Sequence, residues 1–231
     1  MKAMILAAGR GERMRPLTDT TPKPLLKVGG KSLIVWHLER LAQAGFKQVV
    51  INHAHLGEQI EQALGDGSLW AMRITYSPEQ QALETAGGIA KALPLLGDQP
   101  FLVVNGDIYS EIDFAQLAAL EGKLWPNLAH LLMVDNPAQH PDGDFAMADG
   151  YLSESGSVKF TFSGVGVYHP SLFAEVVAGQ AAKLAPLLRS AMARQQVTAS
   201  HYAGVWHDIG TPERLRTLDQ QLNFSRPAPA A

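Results

Sequence analysis

The stretch that decides the fold of this chain is AMILAAGRGERMRPLTDTTPKPLL, residues 3–26. Its apolar opening, Ala3 to Ala8, reads as a buried strand, and a loop with two glycines, three arginines and a lysine follows at once. Gly9 and Gly11 allow backbone N–H groups to approach an anion with no Cβ in the way. Arg13 offers a planar fork to phosphate oxygens, and Lys23 a mobile point charge. Pro22 and Pro24 restrict the backbone on either side of Lys23 and so aim its ammonium. Together these features favour a phosphate-binding loop over a solvated basic turn. Spacing excludes two familiar versions of such a loop. The pattern G-x-G-x-x-G fits Gly9 and Gly11 but meets Met14 at its third glycine. GGKS at residues 29–32 matches the tail of G-x-x-x-x-G-K-[ST], but Leu25 stands where the first glycine belongs.

Outward from this loop the chain alternates. After strand AMILAA come helix SLIVWHLERLAQAG, strand KQVVINH, helix GEQIEQALG, strand MRITYS, helix TAGGIAKALPLL and strand FLVVNGD. Such alternation predicts βαβ units: an α/β, Rossmann-like, mainly parallel central sheet with helices on both faces. Ligands then bind at the C-terminal ends of the strands, on the rim that carries the loops starting at Ala8, Tyr76 and Gly106. The second half is less regular. LAHLLMVD and GSVKFTFSGVGVY read as strands, and HPSLFAEVV, LAPLLRSAMARQQ and PERLRTLDQQLNF as helices. No linker or repeat divides the chain. One domain is expected over 1–224, with 1–110 facing the nucleotide, 111–224 completing the cleft on the sugar side, and 225–231 a flexible tail of SRPAPAA-like composition.

Composition narrows the function. The 231 residues are 46% hydrophobic and 18% charged, with a formal net charge of −3 and no cysteine. There is no broad basic field for nucleic acid, so an anion must be held by a local cluster. Disulfides and thiolate metal sites are excluded. No apolar run is long enough to span a bilayer, and a cytoplasmic, monomeric protein is the expectation.

The loop resembles the signature of sugar-phosphate nucleotidyltransferases, close to L-A-G-G-x-G-T-R-L-x-P-L-T…P-K-P-L, with Ala8, Glu12 and Met14 replacing a glycine, a threonine and a leucine. The likeness runs over roughly residues 1 to 222. LETAGGI, Leu83 to Ile89, resembles the family's L-G-T-A-G segment, with Glu84 in place of its glycine. Residues alone also allow a helix start capped by Thr85 there. The resemblance implies the nucleotide-diphospho-sugar transferase fold and a nucleotide site made from Ala8, Gly9, Gly11, Glu12, Arg13, Lys23, Glu79, Gln80 and Gly87. Arg13 and Lys23 become the catalytic cations, and Asp107 and Asp208 the ligands of Mg²⁺. Local chemistry supports Asp208 separately, because Thr211 and Pro212 already supply the cap and first residue of the last helix. Many relatives carry Glu-Lys-Pro toward the sugar. This chain has none, and Glu154 with Asn105 are the candidates in its place. His53 and His55 lack a third ligand at supporting spacing, so they read as surface or helix-entry residues.

By the same resemblance the substrates are UTP and N-acetylmuramate 1-phosphate, and the reaction is UMP transfer with release of pyrophosphate, in peptidoglycan recycling. The nucleophile is already an anionic phosphate oxygen, so no general base is needed. The loop does not choose the base: GMP transfer to mannose 1-phosphate is the rival within the class, and a non-catalytic nucleotide-sensing module the rival outside it. No hexapeptide-repeat acyltransferase domain is expected after the last helix.

Overall fold

The computed structural model describes residues 1–224, so the expected tail at 225–231 lies outside the described residues. In chain order the elements are β1 (Ala3–Ala7), α1 (Leu17–Thr20), β2 (Lys27–Val28), β3 (Lys31–Ser32), α2 (Leu33–Gln43), β4 (Gln48–His53), α3 (Gly57–Leu64), β5 (Arg73–Pro78) and α4 (Glu84–Leu96). There follow β6 (Phe101–Asn105), β7 (Ile108–Ser110), α5 (Phe114–Ala118), β8 (Ala129–Val134), β9 (Phe145–Ala148), β10 (Tyr151–Ser153) and β11 (Lys159–Tyr168). The chain closes with α6 (Leu184–Met192), β12 (Val197–His201), β13 (Trp206–Asp208) and α7 (Pro212–Phe224).

Among the described residues, one sheet has the order β5-β4-β1-β6-β11-β8-β12-β10-β9. Its first four strands are parallel, as the alternation requires. The expectation of a mainly parallel sheet fails beyond β6. There β11 runs antiparallel to both β6 and β8, and β10 antiparallel to β9 and β12, with β8–β12 the one parallel pair on that side. The sheet is therefore mixed. At its far edge the cause is local: β9 and β10 are joined by Asp149–Gly150, both at positive φ, a tight turn that connects only antiparallel neighbours.

Helices cover both faces. Ile34, Leu38 and Leu41 of α2 and Ile60 and Leu64 of α3 pack under Ile5, Ile51 and Val104. Ile89 and Leu96 of α4 and Leu188 of α6 pack against Met4, Val103 and Leu131 on the other face. Strand residues alternate between two buried layers, so β1 and the first four residues of β6 are apolar. The segment HPSLFAEVV makes only a short 3₁₀ turn, Pro170–Phe173, rather than the expected helix. Its Phe173 enters the core there and stacks on Phe101, with 6.2 Å between ring centroids.

A third, smaller apolar cluster matters most for the site. Met14, Leu26 and Val28 of the N-terminal region pack with Tyr109 of β7, Ile209, and Leu215 and Leu218 of α7. Met14, the residue that breaks the dinucleotide pattern, is fully buried here. Burying such a side chain contributes about 1.5–3 kcal/mol, and here it docks the loop after β1 onto the C-terminal helix. The Gly29 N–H donates to Asp219 of α7 at 2.8 Å, reinforcing the same joint. Among the described residues no helix is long and apolar enough to cross a membrane.

Candidate active site

A cleft of about 360 Å³ opens at the C-terminal rim of the parallel strands. It runs from Ala82 and Glu84 beyond β5, past Asn52 of β4 and Ala8 and Gly9 beyond β1, to Asn105 and Asp107 beyond β6. Lys23 closes it from the loop side.

The loop is fastened by its own polar groups. Gly11 has φ +69°, and a Cβ there would lie 3.0 Å from Thr18 Cγ2, so glycine is required on both counts. Thr18 donates to the Gly11 carbonyl at 2.9 Å, and Arg10 donates to the Thr18 carbonyl at 2.7 Å. Asp19 is paired with Arg10 at 3.0 Å and Arg15 at 2.9 Å, and the hydrogen bond from Arg10 holds its carboxyl below the usual range. Two of the three arginines are therefore engaged within the loop. Arg13 is exposed and has no hydrogen-bond or ion-pair partner among the described residues. Its guanidinium lies beside Gly210, where a Cβ would come 3.3 Å from Nη2. Glu12 points to Arg10 and Arg15, at 3.8 and 3.9 Å, and does not line the cleft.

Lys23 opens a short 3₁₀ turn, with Pro22 extended before it and Pro24 behind it. It is only 7% exposed, and its Nζ sits 2.7 Å from Asp107 Oδ2. Gly106, just before Asp107, donates to the Leu6 carbonyl at 2.9 Å. A Cβ at Gly106 would lie 2.6 Å from that carbonyl oxygen, so only glycine lets β6 and β1 end this close together. Asp208 does not line this cleft; it lines a neighbouring one with Trp206, His207 and Arg214, and only its backbone neighbour joins the two. In the two-stranded ladder of β7 and β13 Asp208 stands opposite Ile108, and the Ile209 N–H donates to the Asp107 carbonyl at 3.0 Å. Asp107, in the turn between β6 and β7, and Asp208, at the end of β13, 101 positions apart in sequence, are thus tied together through the backbone. Asp208 accepts from Arg214 Nη1, whose helix begins with Thr211 capping the Arg214 N–H at 3.3 Å.

Among the described residues no group of three or more His, Cys, Asp or Glu side chains is gathered to hold a metal ion. Asp107 and Asp208 supply two hard carboxylate donors. That set fits Mg²⁺, which takes few protein ligands and completes its shell with phosphate and water.

The remaining sequence candidates divide. Glu79 is buried, but both its oxygens are taken: Oε1 accepts from Asn52 at 2.7 Å and Oε2 from the Leu83 N–H at 2.9 Å. Asn52 Oδ1 in turn accepts from the Ala7 N–H at 3.0 Å, so this pair clamps β1, β4 and the start of α4 together. Gln80 is exposed and does not line the cleft. Gly87 faces the other way. Its N–H donates to the Ala182 carbonyl at 3.1 Å, and a Cβ there would lie 2.3 Å from the Gln180 carbonyl. Its absent side chain serves close packing of α4 on that segment. Thr85 does not cap α4 either; the helix begins at Glu84, and Ala182 accepts the N–H of Ala86 as well.

Asn105 lines the cleft above Gly164, whose φ of +81° and lack of a Cβ leave room for the amide. Glu154 does not reach the cleft. It pairs with Arg189 of α6 at 3.0 Å, with both side chains more than half exposed. His53 is buried rather than on the surface, 2.7 Å from Glu61, and His55 lies 2.9 Å from the Thr18 carbonyl. Sequence reasoning missed Asn52, Glu84 and Arg214. Asn52 had a readable signal, a polar residue near the end of an otherwise apolar strand. Arg214 had none.

Three comparisons bear on this site. The family described as Nucleotidyl transferase matches residues 2–138. The N-acetylmuramate alpha-1-phosphate uridylyltransferase of Neisseria meningitidis serogroup B is 58% identical over 221 residues, covering 94% of this chain and 96% of that one. The protein of the same name from Caulobacter vibrioides is 34% identical, covering 95% and 96%. In fold, a solved UDP-glucose pyrophosphorylase complexed with UDP-glucose superposes with a TM-score of 0.77 at 19% identity, covering 97% of this chain and 99% of that one.

Proposed function

The chain belongs to the nucleotidyl transferase family, and from that premise we propose that it transfers UMP from UTP to N-acetylmuramate 1-phosphate, releasing pyrophosphate. The observation that supports the reading most is Lys23 held on Asp107 at the cleft, with the segment after Asp208 bonded to the Asp107 carbonyl and Arg13, unpaired among the described residues, beside Gly210. The two uridylyltransferases similar over nearly the whole chain support the choice of UTP and of the sugar.

In the reaction an oxygen of the sugar 1-phosphate forms a bond to the α-phosphorus of UTP, and the bond from that phosphorus to the bridging oxygen breaks. The electron pair leaves with pyrophosphate. The attacking oxygen carries no proton to remove, so catalysis is positioning and charge neutralisation. Gly9 and Gly11 leave room for the triphosphate against the backbone of the loop. Arg13, with no protein partner, is free to take charge on the departing pyrophosphate. Lys23 is pre-aimed by two prolines and by Asp107 and faces the reacting phosphates with little side-chain freedom left to lose. Asp107 and Asp208 would hold Mg²⁺, whose chemistry here is Lewis-acid neutralisation of phosphate oxygens. Asn105, over Gly164, offers an amide to a sugar hydroxyl.

Pyrophosphate release, assayed over a panel of nucleoside triphosphates and sugar 1-phosphates, tests the reading. The expected result is release with UTP and N-acetylmuramate 1-phosphate far above any other pair. Release only with GTP and mannose 1-phosphate would move the chain to guanylyl transfer, and release with no pair would leave nucleotide sensing.

A further inference from the structure

Glu84 is the first residue of α4, and its φ is +60°. That left-handed conformation crowds the Cβ of any residue but glycine, and a glutamate has no compensating local hydrogen bond of the kind asparagine makes. Strain of this sort persists where the surroundings enforce it and clusters at ligand sites. Glu84 also lines the cleft, is exposed, and has no hydrogen-bond or ion-pair partner among the described residues. Its neighbours differ: Glu79 and Asn52 have their polar atoms engaged by the chain itself.

The charge layout of the cleft says which part of a nucleotide meets Glu84. Strand order places β5 and β6 on opposite sides of β1. The cations Lys23 and Arg13, and both aspartates, gather toward β6, β7 and β13. Phosphates belong there, and a carboxylate next to them at the β5 end would repel them. What remains for the β5 end is the uncharged nucleoside, and a carboxylate can only accept.

We infer that Glu84 is a specificity-determining residue whose carboxylate accepts a hydrogen bond from a nucleoside donor, either a ribose hydroxyl or the N3–H of the base. The inference rests on the nucleotide reading above.

The test is UTP binding by calorimetry, with thermal melting, for the wild type and Glu84→Gly. Glycine relieves the left-handed strain, so the melting temperature rises by about 2–4 °C, while UTP affinity falls roughly 10- to 100-fold, as for loss of a charge-assisted hydrogen bond. A merely structural role cannot make the protein more stable and the complex weaker together. Glu84→Gln, which keeps the strain and an accepting oxygen, falls between. With 2′,3′-dideoxyuridine triphosphate the difference between wild type and Glu84→Gly disappears if the ribose is the donor. With N3-methyluridine triphosphate it disappears if the base is. Equal UTP affinity in wild type and Glu84→Gly, or a difference that survives both analogues, overturns the assignment. Because the readout is binding, a wild type that binds UTP yet releases no pyrophosphate would break the transferase reading and leave Glu84 standing.

Discussion

The two aspartates of the site are held in opposite ways. Asp107 lies in the turn just after a strand of the main sheet and meets a lysine that is itself buried and bracketed by prolines. Asp208 lies on a ladder of two short strands and meets Arg214, a long side chain about a quarter exposed on the first turn of the last helix. The first arm is part of the core and is set before any ligand arrives. The second is joined to it through a short two-stranded ladder and one small apolar cluster, and its cation, Arg214, is more exposed than Lys23, so it can yield its carboxylate to a new partner at lower cost.

The largest expected effect puts this contrast to the test. Asp107→Ala and Asp208→Ala should each lower kcat on the order of 10²–10³, as loss of one preorganised electrostatic contact does. Their stabilities should part. Asp107→Ala leaves Lys23 buried without its anion and should cost about 1–2 kcal/mol, less than a fully buried pair because Asp107 is partly open to water. Asp208→Ala should cost under about 0.5 kcal/mol. Urea unfolding beside the kinetic assay measures both, and equal destabilisation would remove the distinction between the arms.

The same contrast explains what the sequence revealed. The arm that carries Asp107 was legible because parallel strands buried on two faces write themselves as apolar runs, and glycines and prolines mark the loop between them. The antiparallel half was not. Strands β9 and β10 are only four and three residues long, too short for period-two alternation to register, although Asp149–Gly150 is a recognisable turn. Within the site, Lys23 and Asp107 were singled out by the loop's residues and the family resemblance and are in contact, while Asp208 lines the neighbouring cleft. Gly87 and Glu79 were also picked by pattern, but their surroundings turn them to packing and clamping, and no spacing rule shows which way a residue faces. Glu84 was visible only as a departure from glycine, and its significance depends on a backbone angle.

Behind the Asp107 arm lies a liability that the Asp208 arm does not share. His37 of α2 is fully buried, and burial outweighs its contact with the Ile108 backbone and pushes it down to about 4 from an ordinary 6.5. Between those values the unfolded chain binds a proton that the folded chain refuses. Stability is therefore full above pH 6.5 and falls as the pH drops toward 4, by about 3 kcal/mol in all. His37→Leu should flatten this part of the pH–stability curve and leave the slope from other groups. An unchanged slope across that window would show that His37 finds a proton acceptor in the fold.

A smaller effect concerns the clamp at the parallel end. Asn52→Ala strips a partner from Glu79 and from the Ala7 N–H, both buried, and should cost about 2 kcal/mol. Glu79→Ala should cost a similar amount, and the double variant clearly less than the sum, since each change already breaks the bond they share. Additive costs would mean the two residues act separately.

The smallest effect is expected farthest from the parallel core. Glu154 and Arg189 form a surface pair, 64% and 51% exposed, of the kind that contributes between nothing and about 1 kcal/mol. Glu154→Ala should therefore shift stability by less than about 0.5 kcal/mol. It should also leave the KM for the sugar phosphate unchanged, whereas Asn105→Ala, at the cleft, should raise that KM roughly tenfold. The two variants ask one question of the antiparallel half: whether it contributes sugar contacts only through what it presses against β6, as Gly164 does with Asn105, or also through its own loops. A raised sugar KM in Glu154→Ala would mean that the loop after β10 swings inward when the sugar binds, breaking the Arg189 pair. The less rigid half would then be the part that senses the sugar.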